Sequence, residues 1–178
     1  MGGVNGKAIW LETKKQLSEI NGLIIPGGES TTIGQLMLDS GIFKKVREKG
    51  KDGFPIMGTC AGMVLLAKKG GKEIKKTNQP LLGLMDITVI RNSFGRQRES
   101  FETDIPIACL DKKPFPAVFI RAPAIIRIGE NVTPLARYKK KIVAAEQDNL
   151  LAVSFHPELT DDIRVHKYFL ERIIQKID

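Results

Sequence analysis

Short apolar runs alternate with amphipathic segments through the first half of the chain. The apolar runs have the length and content of buried strands and read "KAIWL", "GLII" and "FPIMG". The segments that follow them have helical spacing and read "TKKQLSEI", "TTIGQLML", "GIFKKVREKG" and "AGMVLLAKKG". This alternation predicts a mostly parallel sheet with helices on both faces.

The pattern changes after residue 84, where strand-like runs follow one another without a long helix between them. These runs are "LMDITVIRN", "SFETDIPI", "AVFIRAP", "KIVAAEQ" and "LLAVSFH". They predict an antiparallel or mixed portion of the sheet. The closing segment "TDDIRVHKYFLERIIQKI" predicts a helix capped by Thr160. The fold class expected from the pattern is therefore α/β with a mixed, mostly parallel sheet.

Length and charge narrow the class of protein. The 178 residues fit a single domain spanning 1–178. No apolar stretch approaches the length of a membrane span, and the first residues lack a signal-peptide core, so we expect a soluble, cytoplasmic protein with no membrane partner. The net charge of +8 comes from scattered lysines with acidic or apolar neighbours and no stacking aromatics. Solvated faces explain this pattern better than nucleic-acid binding does.

The chain has two cysteines, and only Cys60 lies in a distinctive setting. In "GTCAG", glycines flank it where a strand pattern changes to a helix pattern, which is the form of a nucleophile elbow. Free N–H groups at the start of a helix favour the reactive thiolate. A buried structural cysteine at a glycine-rich turn is the alternative. Cys109 lacks these features and is expected in the core, and the pair has no spacing for a metal ion.

A cysteine nucleophile needs a base, and the chain has two histidines. His156 ends an apolar strand, and Glu158 follows two positions later. In extended backbone these two side chains point the same way, so Glu158 is expected to orient the imidazole. His166, on the terminal helix, is expected at the surface or partly packed.

An attacked carbonyl also needs N–H donors for its developing charge. Ala61, directly after the cysteine, supplies one by elbow geometry. The loop "PGGES" is a source of the second, because Gly27 and Gly28 allow backbone directions closed to other residues. An ordinary strand-to-helix turn capped by Ser30 is the alternative for this loop.

The motifs "PGGEST", "GTCAGM", "RNSFGRQ", "FIRAP" and "SFHPEL", in this order, resemble the glutaminase subunits of pyridoxal 5′-phosphate synthases. This family belongs to the class I, triad-type glutamine amidotransferases, and the resemblance covers about residues 10 to 175. It implies a three-layer α/β fold of the class I glutaminase type. The motif "RNSFGRQ" with "FIRAP" is the part specific to the vitamin B6 branch.

The resemblance also implies roles for individual residues. Cys60 would attack the side-chain amide of L-glutamine, with His156 as base and then acid and Glu158 holding His156. Gly28 and Ala61 would be the oxyanion donors, and no metal or cofactor is implied. The implied glutamine-binding positions are Gly28, Glu29, Ser30, Arg91, Ile120 and Arg121. A structural salt bridge remains the alternative for Arg91.

The implied partner is a separate (β/α)8-barrel synthase subunit in a large hetero-oligomer, which receives the ammonia. Two rival functions remain open. The chain is a glutaminase for another acceptor synthase, or it is an inactive, shortened subunit that only binds the synthase. The second rival arises because family members usually begin with a strand and glycine turn of the type "GVLALQG", which "MGGVNG" does not supply. That strand is expected in the middle of the sheet, and its loss would leave backbone groups unpaired, so we expect a segment upstream of Met1.

Overall fold

The computed structural model describes residues 6–94 and 100–174. The helices are α1 (Ser30–Asp39), α2 (Ile42–Lys51), α3 (Ala61–Leu66), α4 (Lys72–Lys76) and α5 (Arg164–Ile174). The first strands are β1 (Leu23–Ile25), β2 (Ile56–Thr59), β3 (Ala67–Gly70), β4 (Met85–Ile90) and β5 (Ser100–Ile105). The later strands are β6 (Phe115–Ile120), β7 (Ala124–Ile128), β8 (Thr133–Tyr138), β9 (Lys141–Gln147) and β10 (Leu150–Val153). Short 3₁₀ turns lie at Gln16–Ser18 and Pro157–Leu159.

A mixed sheet organises the molecule, in the order β1-β2-β10-β9-β7-β4-β3, and β8 also pairs with β9. Strands β1, β2, β10, β7 and β8 run in one direction, and β9, β4 and β3 run in the other. Strands β5 and β6 form a separate antiparallel ribbon. The parallel trio β1-β2-β10 brings three loops to one edge of the sheet, at the carboxyl ends of its strands.

Each face of the sheet carries its own hydrophobic cluster. On one face, side chains of β1, β2 and β4 pack against α1 to α4. On the other face, side chains of β9 and β10 pack against the β5-β6 ribbon and against α5, through residues such as Phe119, Phe155 and Phe169. Every helix therefore buries its apolar stripe on one face or the other. The expected α/β sheet with helices on both faces is confirmed.

Several element predictions are wrong in detail. The run "KAIWL" is not a strand, and Trp10 within it is 85% exposed. It pairs with no strand among the described residues, and an extended segment without a partner leaves its backbone groups to water. The predicted helix "AGMVLLAKKG" ends at Leu66, because Ala67 turns extended and begins β3 alongside β4. Strands β7 and β8 and helix α4 were not predicted.

The predicted cap of the terminal helix is also wrong. Asp162, rather than Thr160, accepts a hydrogen bond from the N–H of Arg164 at the start of α5, at 3.1 Å. The Thr160 hydroxyl instead accepts from the N–H of Asp162 at 3.1 Å. The predicted end of this helix at Ile177 and the residues 95–97 of "RNSFGRQ" lie outside the described residues. No helix in the described ranges is long and apolar enough to cross a membrane.

Candidate active site

Cys60 lies between β2 and α3 in a backbone conformation that few non-glycine residues adopt, with φ 49° and ψ −101°. The glycines around it permit this turn. A Cβ on Gly58 would lie 2.4 Å from the carbonyl carbon of Gly62, and a Cβ on Gly62 would lie 2.1 Å from the carbonyl oxygen of Ile25. Such a strained turn persists only where its surroundings hold it. Cys60 at its apex is 7% exposed.

Hydrogen bonds between neighbouring strands place His156 beside this turn. Strands β2 and β10 are parallel, with Thr59 opposite Val153, and the Cys60 N–H donates to the Val153 carbonyl at 2.8 Å. The chain then continues to His156, whose N–H donates to the carbonyl of Val118 in β6 at 2.8 Å. The nucleophile candidate and the base candidate are therefore held by adjacent strand ends.

Glu158 holds one ring nitrogen of His156. The Nδ1 atom of His156 lies 2.7 Å from Oε1 of Glu158. Since Nδ1 is engaged in this way, Nε2 is the nitrogen available to Cys60. The expected pair is present, but the reason given for it was wrong: Glu158 lies in the 3₁₀ turn Pro157–Leu159 rather than in extended backbone.

The charges of this group favour a protonated imidazole. A hydrogen bond with Cys60, followed in size by one with Glu158, raises the pKa of His156 to about 9, against the opposing effect of burial. Burial opposes ionisation of Glu158, but its hydrogen bond with His156 holds the pKa of that carboxyl below its ordinary value. An imidazolium is therefore expected beside Cys60 at neutral pH, and such a cation stabilises a thiolate next to it.

The loop between β1 and α1 closes over the other side of the imidazole. A Cβ on Gly27 would lie 2.3 Å from Cε1 of His156, so only glycine fits there. Gly28 has φ 141°, a conformation that glycine adopts readily. The N–H of Ala61 belongs to the first turn of α3, whose amides have no acceptor within the helix. Gly28 and Ala61, the two residues expected to donate to an oxyanion, thus lie in this loop and at the elbow.

Glu29 and Arg91 form an ion pair at the start of α1. The N–H and hydroxyl of Thr32 donate to Oε2 of Glu29 at 2.8 and 3.0 Å, and Arg91 donates to Oε1. Burial opposes ionisation of Glu29, but these hydrogen bonds and the Arg91 charge hold the pKa of the carboxyl below its ordinary value. The structure therefore presents an ionised carboxylate and a guanidinium side by side.

The remaining predicted positions differ in their distance from the cysteine. The Ile120 carbonyl oxygen lies 3.8 Å from the Cys60 sulfur, within weak hydrogen-bond range. Arg121, next along the chain, has φ 46° and an exposed side chain. Cys109 is half-buried and packs against the edge of a core cluster rather than within it, and burial raises the pKa of its thiol to about 11.

Two polar residues that support this site were missed by sequence reasoning. Thr32 holds the carboxylate of Glu29, and Gln79 accepts a hydrogen bond from the hydroxyl of Ser30 at 3.1 Å. Helix-capping rules favour Ser, Thr, Asp or Asn before a helix, so they do not single out Glu29 as the residue that caps α1. Gln79 lies in a separate loop, and nothing in "TNQP" points to Ser30.

A cleft of about 660 Å³ is lined by residues 50–53, 83–84 and 147–150. It lies at the amino ends of β2 and β10, whereas Cys60 and His156 follow their carboxyl ends.

A strand-to-helix elbow with cysteine at its apex, on an α/β sheet of this order, is the fold of the class I glutamine amidotransferases. The chain belongs to the SNO glutamine amidotransferase family, whose sequence profile matches residues 3–175. The resemblance stated from the motifs is thereby confirmed. The described residues contain no cluster that would hold a metal ion.

Individual relatives agree with this assignment. The chain is 54% identical over 171 residues to "Pyridoxal 5'-phosphate synthase subunit PdxT" of Methanococcoides burtonii, covering 96% of this chain and 86% of that one. It is 53% identical over 169 residues to the protein of the same name in Pelotomaculum thermopropionicum, covering 95% and 84%. A solved structure titled "Crystal structure of glutamine amidotransferase" superimposes with a TM-score of 0.84 at 46% identity, covering 92% of this chain and 84% of that one.

Proposed function

We propose that this chain hydrolyses L-glutamine to L-glutamate and ammonia and delivers the ammonia to a pyridoxal 5′-phosphate synthase. The observation that carries the proposal is that His156, held by Glu158 at 2.7 Å, follows the strand end to which the N–H of Cys60 at the elbow is bonded. The family assignment and the names of the relatives support the choice of glutamine and of the synthase.

The first chemical step forms a thioester. The Cys60 thiolate attacks the amide carbon of glutamine, and the carbonyl oxygen gains the negative charge. The N–H groups of Gly28 and Ala61 donate to that oxygen. The C–N bond then breaks, and protonated His156 gives its Nε2 proton to the departing nitrogen, which leaves as ammonia. Glu158 stabilises the imidazolium at the start of this step and keeps Nδ1 protonated.

The second step frees the enzyme. Neutral His156 accepts a proton from water, and the resulting hydroxide attacks the thioester carbon. The same two N–H groups stabilise the second oxyanion. The C–S bond breaks, the product carboxylic acid loses its proton to water and leaves as glutamate, and the thiolate–imidazolium pair is restored. The mechanism needs no metal or cofactor, because the sulfur and the imidazole carry out both steps.

The zwitterionic end of glutamine is assigned to the polar groups around the first turn of α1. Its ammonium matches the carboxylate of Glu29, and its carboxylate matches the guanidinium of Arg91. The assigned positions also include Gly28, Ser30, Ile120 and Arg121. In the described structure Glu29 and Arg91 neutralise each other, and a bound zwitterion would contact both charges without leaving either unpaired.

The proposed acceptor is the (β/α)8-barrel subunit of the synthase. The experiment is ammonia release from L-glutamine by this chain, alone and mixed with such a subunit. Cys60→Ala is expected to abolish release while leaving binding to the subunit intact, because it removes only the nucleophile. Cys109→Ala is the matched control and is expected to retain activity, since that thiol lies outside the site. Ammonia release that persists in Cys60→Ala contradicts the proposal.

A further inference from the structure

Gln79 is a buried polar residue in the loop between α4 and β4. Its side chain is 7% exposed, although it lies between exposed Asn78 and half-buried Pro80. The loop packs closely on α1, since a Cβ on Gly34 would lie 2.7 Å from Cγ of Pro80. The amide of Gln79 is thereby fixed beside the first turn of that helix.

The carbonyl oxygen of this amide accepts hydrogen bonds from two hydroxyl groups. Oε1 of Gln79 accepts from the Ser30 hydroxyl at 3.1 Å and from the Thr31 hydroxyl at 3.4 Å. Ser30 is 3% exposed, so water does not replace this contact. Ser30 and Thr31 directly follow Gly28 and Glu29, which are the residues assigned to the oxyanion and to the substrate ammonium.

The loop of Gln79 is also attached to the helix that begins at the nucleophile. The N–H of Leu82 donates to the carbonyl of Leu65 at 2.7 Å, and the N–H of Leu84 donates to that of Leu66 at 3.0 Å. Both carbonyls end α3, whose first residue follows Cys60. The loop of Gln79 therefore links two elements that meet at the site: the first turn of α1 and the helix after Cys60.

The nitrogen of the same amide indicates that glutamine at this position has a role other than packing. Nε2 of Gln79 is buried and has no hydrogen-bond partner among the described residues. A buried unpaired donor destabilises a fold, and an apolar side chain of the same shape avoids that penalty. An apolar residue in place of Gln79 would, however, lose the hydrogen bonds that Oε1 accepts from the first turn of α1.

We infer that Gln79 is a positioning residue that sets the Gly28 N–H and the Glu29 carboxylate relative to Cys60. It acts through Ser30 and Thr31 and does not touch the substrate. The inference rests on the proposed glutamine hydrolysis. Without the hydrogen bonds to Gln79, the first turn of α1 can shift, and Gly28 and Glu29 shift with it. A displacement of about 1 Å at a reacting group lowers a rate by up to about a hundredfold.

The test compares two reagents that label Cys60. The diazoketone 6-diazo-5-oxo-L-norleucine has the shape of glutamine and needs the substrate loop, whereas iodoacetamide needs only the thiolate. In the chain mixed with the synthase subunit, Gln79→Met is expected to slow labelling by the glutamine analogue about tenfold and labelling by iodoacetamide less than about twofold. Mass spectrometry of the Cys60 peptide reads both rates. Hydrolysis of glutamine is expected to fall in kcat/KM by the same factor as labelling by the analogue.

Gln35→Met is the matched control, because Gln35 is exposed on α1 and its amide donates to Asp39, one turn further along the same helix. It is expected to label like the unsubstituted chain. Gln79→Glu keeps an acceptor for both hydroxyls and is expected to label faster with the analogue than Gln79→Met. If Gln79→Met does not melt cooperatively, Thr31→Val, which removes one of the two hydroxyl contacts, is measured in its place. It is expected to slow labelling by the analogue and not by iodoacetamide, and equal labelling by the analogue overturns the inference.

Three outcomes separate the possibilities. In the first, the unsubstituted chain hydrolyses glutamine and Gln79→Met is labelled by the analogue at the same rate. This result overturns the inference and leaves the proposed function standing. Equal slowing of both reagents also overturns it, because that result means a general change in the fold. No hydrolysis by the unsubstituted chain, with or without the synthase subunit, overturns the proposed function itself.

Discussion

At the scale of single residues, the proton on His156 depends chiefly on Cys60. The hydrogen bond with that sulfur is the largest cause of the raised pKa of about 9, and Glu158 contributes less. A change at Cys60 is therefore expected to appear in the titration of His156.

This dependence gives a prediction for the Cys60→Ala variant. Removing the sulfur is expected to lower the pKa of His156, because its largest stabilising contact with the charged ring is lost while burial remains. NMR titration of the imidazole Hε1 signals measures the change. His166 is the internal control, since burial lowers its pKa and Cys60 is not among the causes. A His156 signal that titrates identically in both chains contradicts this account.

At the scale of elements, α5 depends on a carboxylate just before its first turn. Oδ1 of Asp162 accepts from the N–H of Arg164 at 3.1 Å, and its oxygens also accept from the Arg164 guanidinium. These bonds with Arg164 lower the pKa of Asp162 from its ordinary value of 3.8. Because the pKa is lower in the folded state, the contribution to stability is present above about pH 3.8 and is lost as pH falls through the folded value.

Asp162→Ala is therefore expected to lower the free energy of unfolding by about 1 kcal/mol near neutral pH, the usual effect of removing a helix cap. The difference from the unsubstituted chain is expected to shrink as the pH is lowered. Urea denaturation at a series of pH values measures both effects. Asp161→Ala is the control, because Asp161 is exposed and adjacent. An equal loss of stability in the two variants argues against the capping role.

The same scale shows how far sequence patterns predict this molecule. Strands such as β2 and β10 were predictable because buried apolar runs bounded by turn residues have few other structures available. The run "KAIWL" fits the same pattern but is not a strand, since pairing depends on a neighbour that the local sequence does not specify. Cys60, His156 and Glu158 were recognised from motifs. The contact between Gln79 and Ser30 was not, because it joins the first turn of α1 to a distant loop whose approach is fixed by tertiary packing.

At the scale of the whole molecule, the sheet is shared by two cores. Met57 and Ile56 are neighbours in β2, yet their side chains enter different clusters on opposite faces. Loss of either core therefore exposes the same strands, and we expect the two faces to unfold together rather than in separate steps.

The single tryptophan lies outside both cores, which affects how this unfolding is observed. Trp10 is 85% exposed. Its fluorescence maximum in the folded chain is therefore expected to be close to that of the unfolded chain. Circular dichroism, by contrast, is expected to show one cooperative transition. Emission of the folded chain at clearly shorter wavelength contradicts the exposed position of this side chain.

The pairing of β2 with β10 has a consequence for how the chain is made. Cys60 leaves the ribosome long before His156, and the strand that carries His156 to the site must insert between β2 and β9. Until that insertion, the thiol has no imidazolium beside it and reacts only as an ordinary cysteine does. The nascent chain therefore lacks the cysteine–imidazolium pair during synthesis, and the pair forms only when β10 joins the sheet.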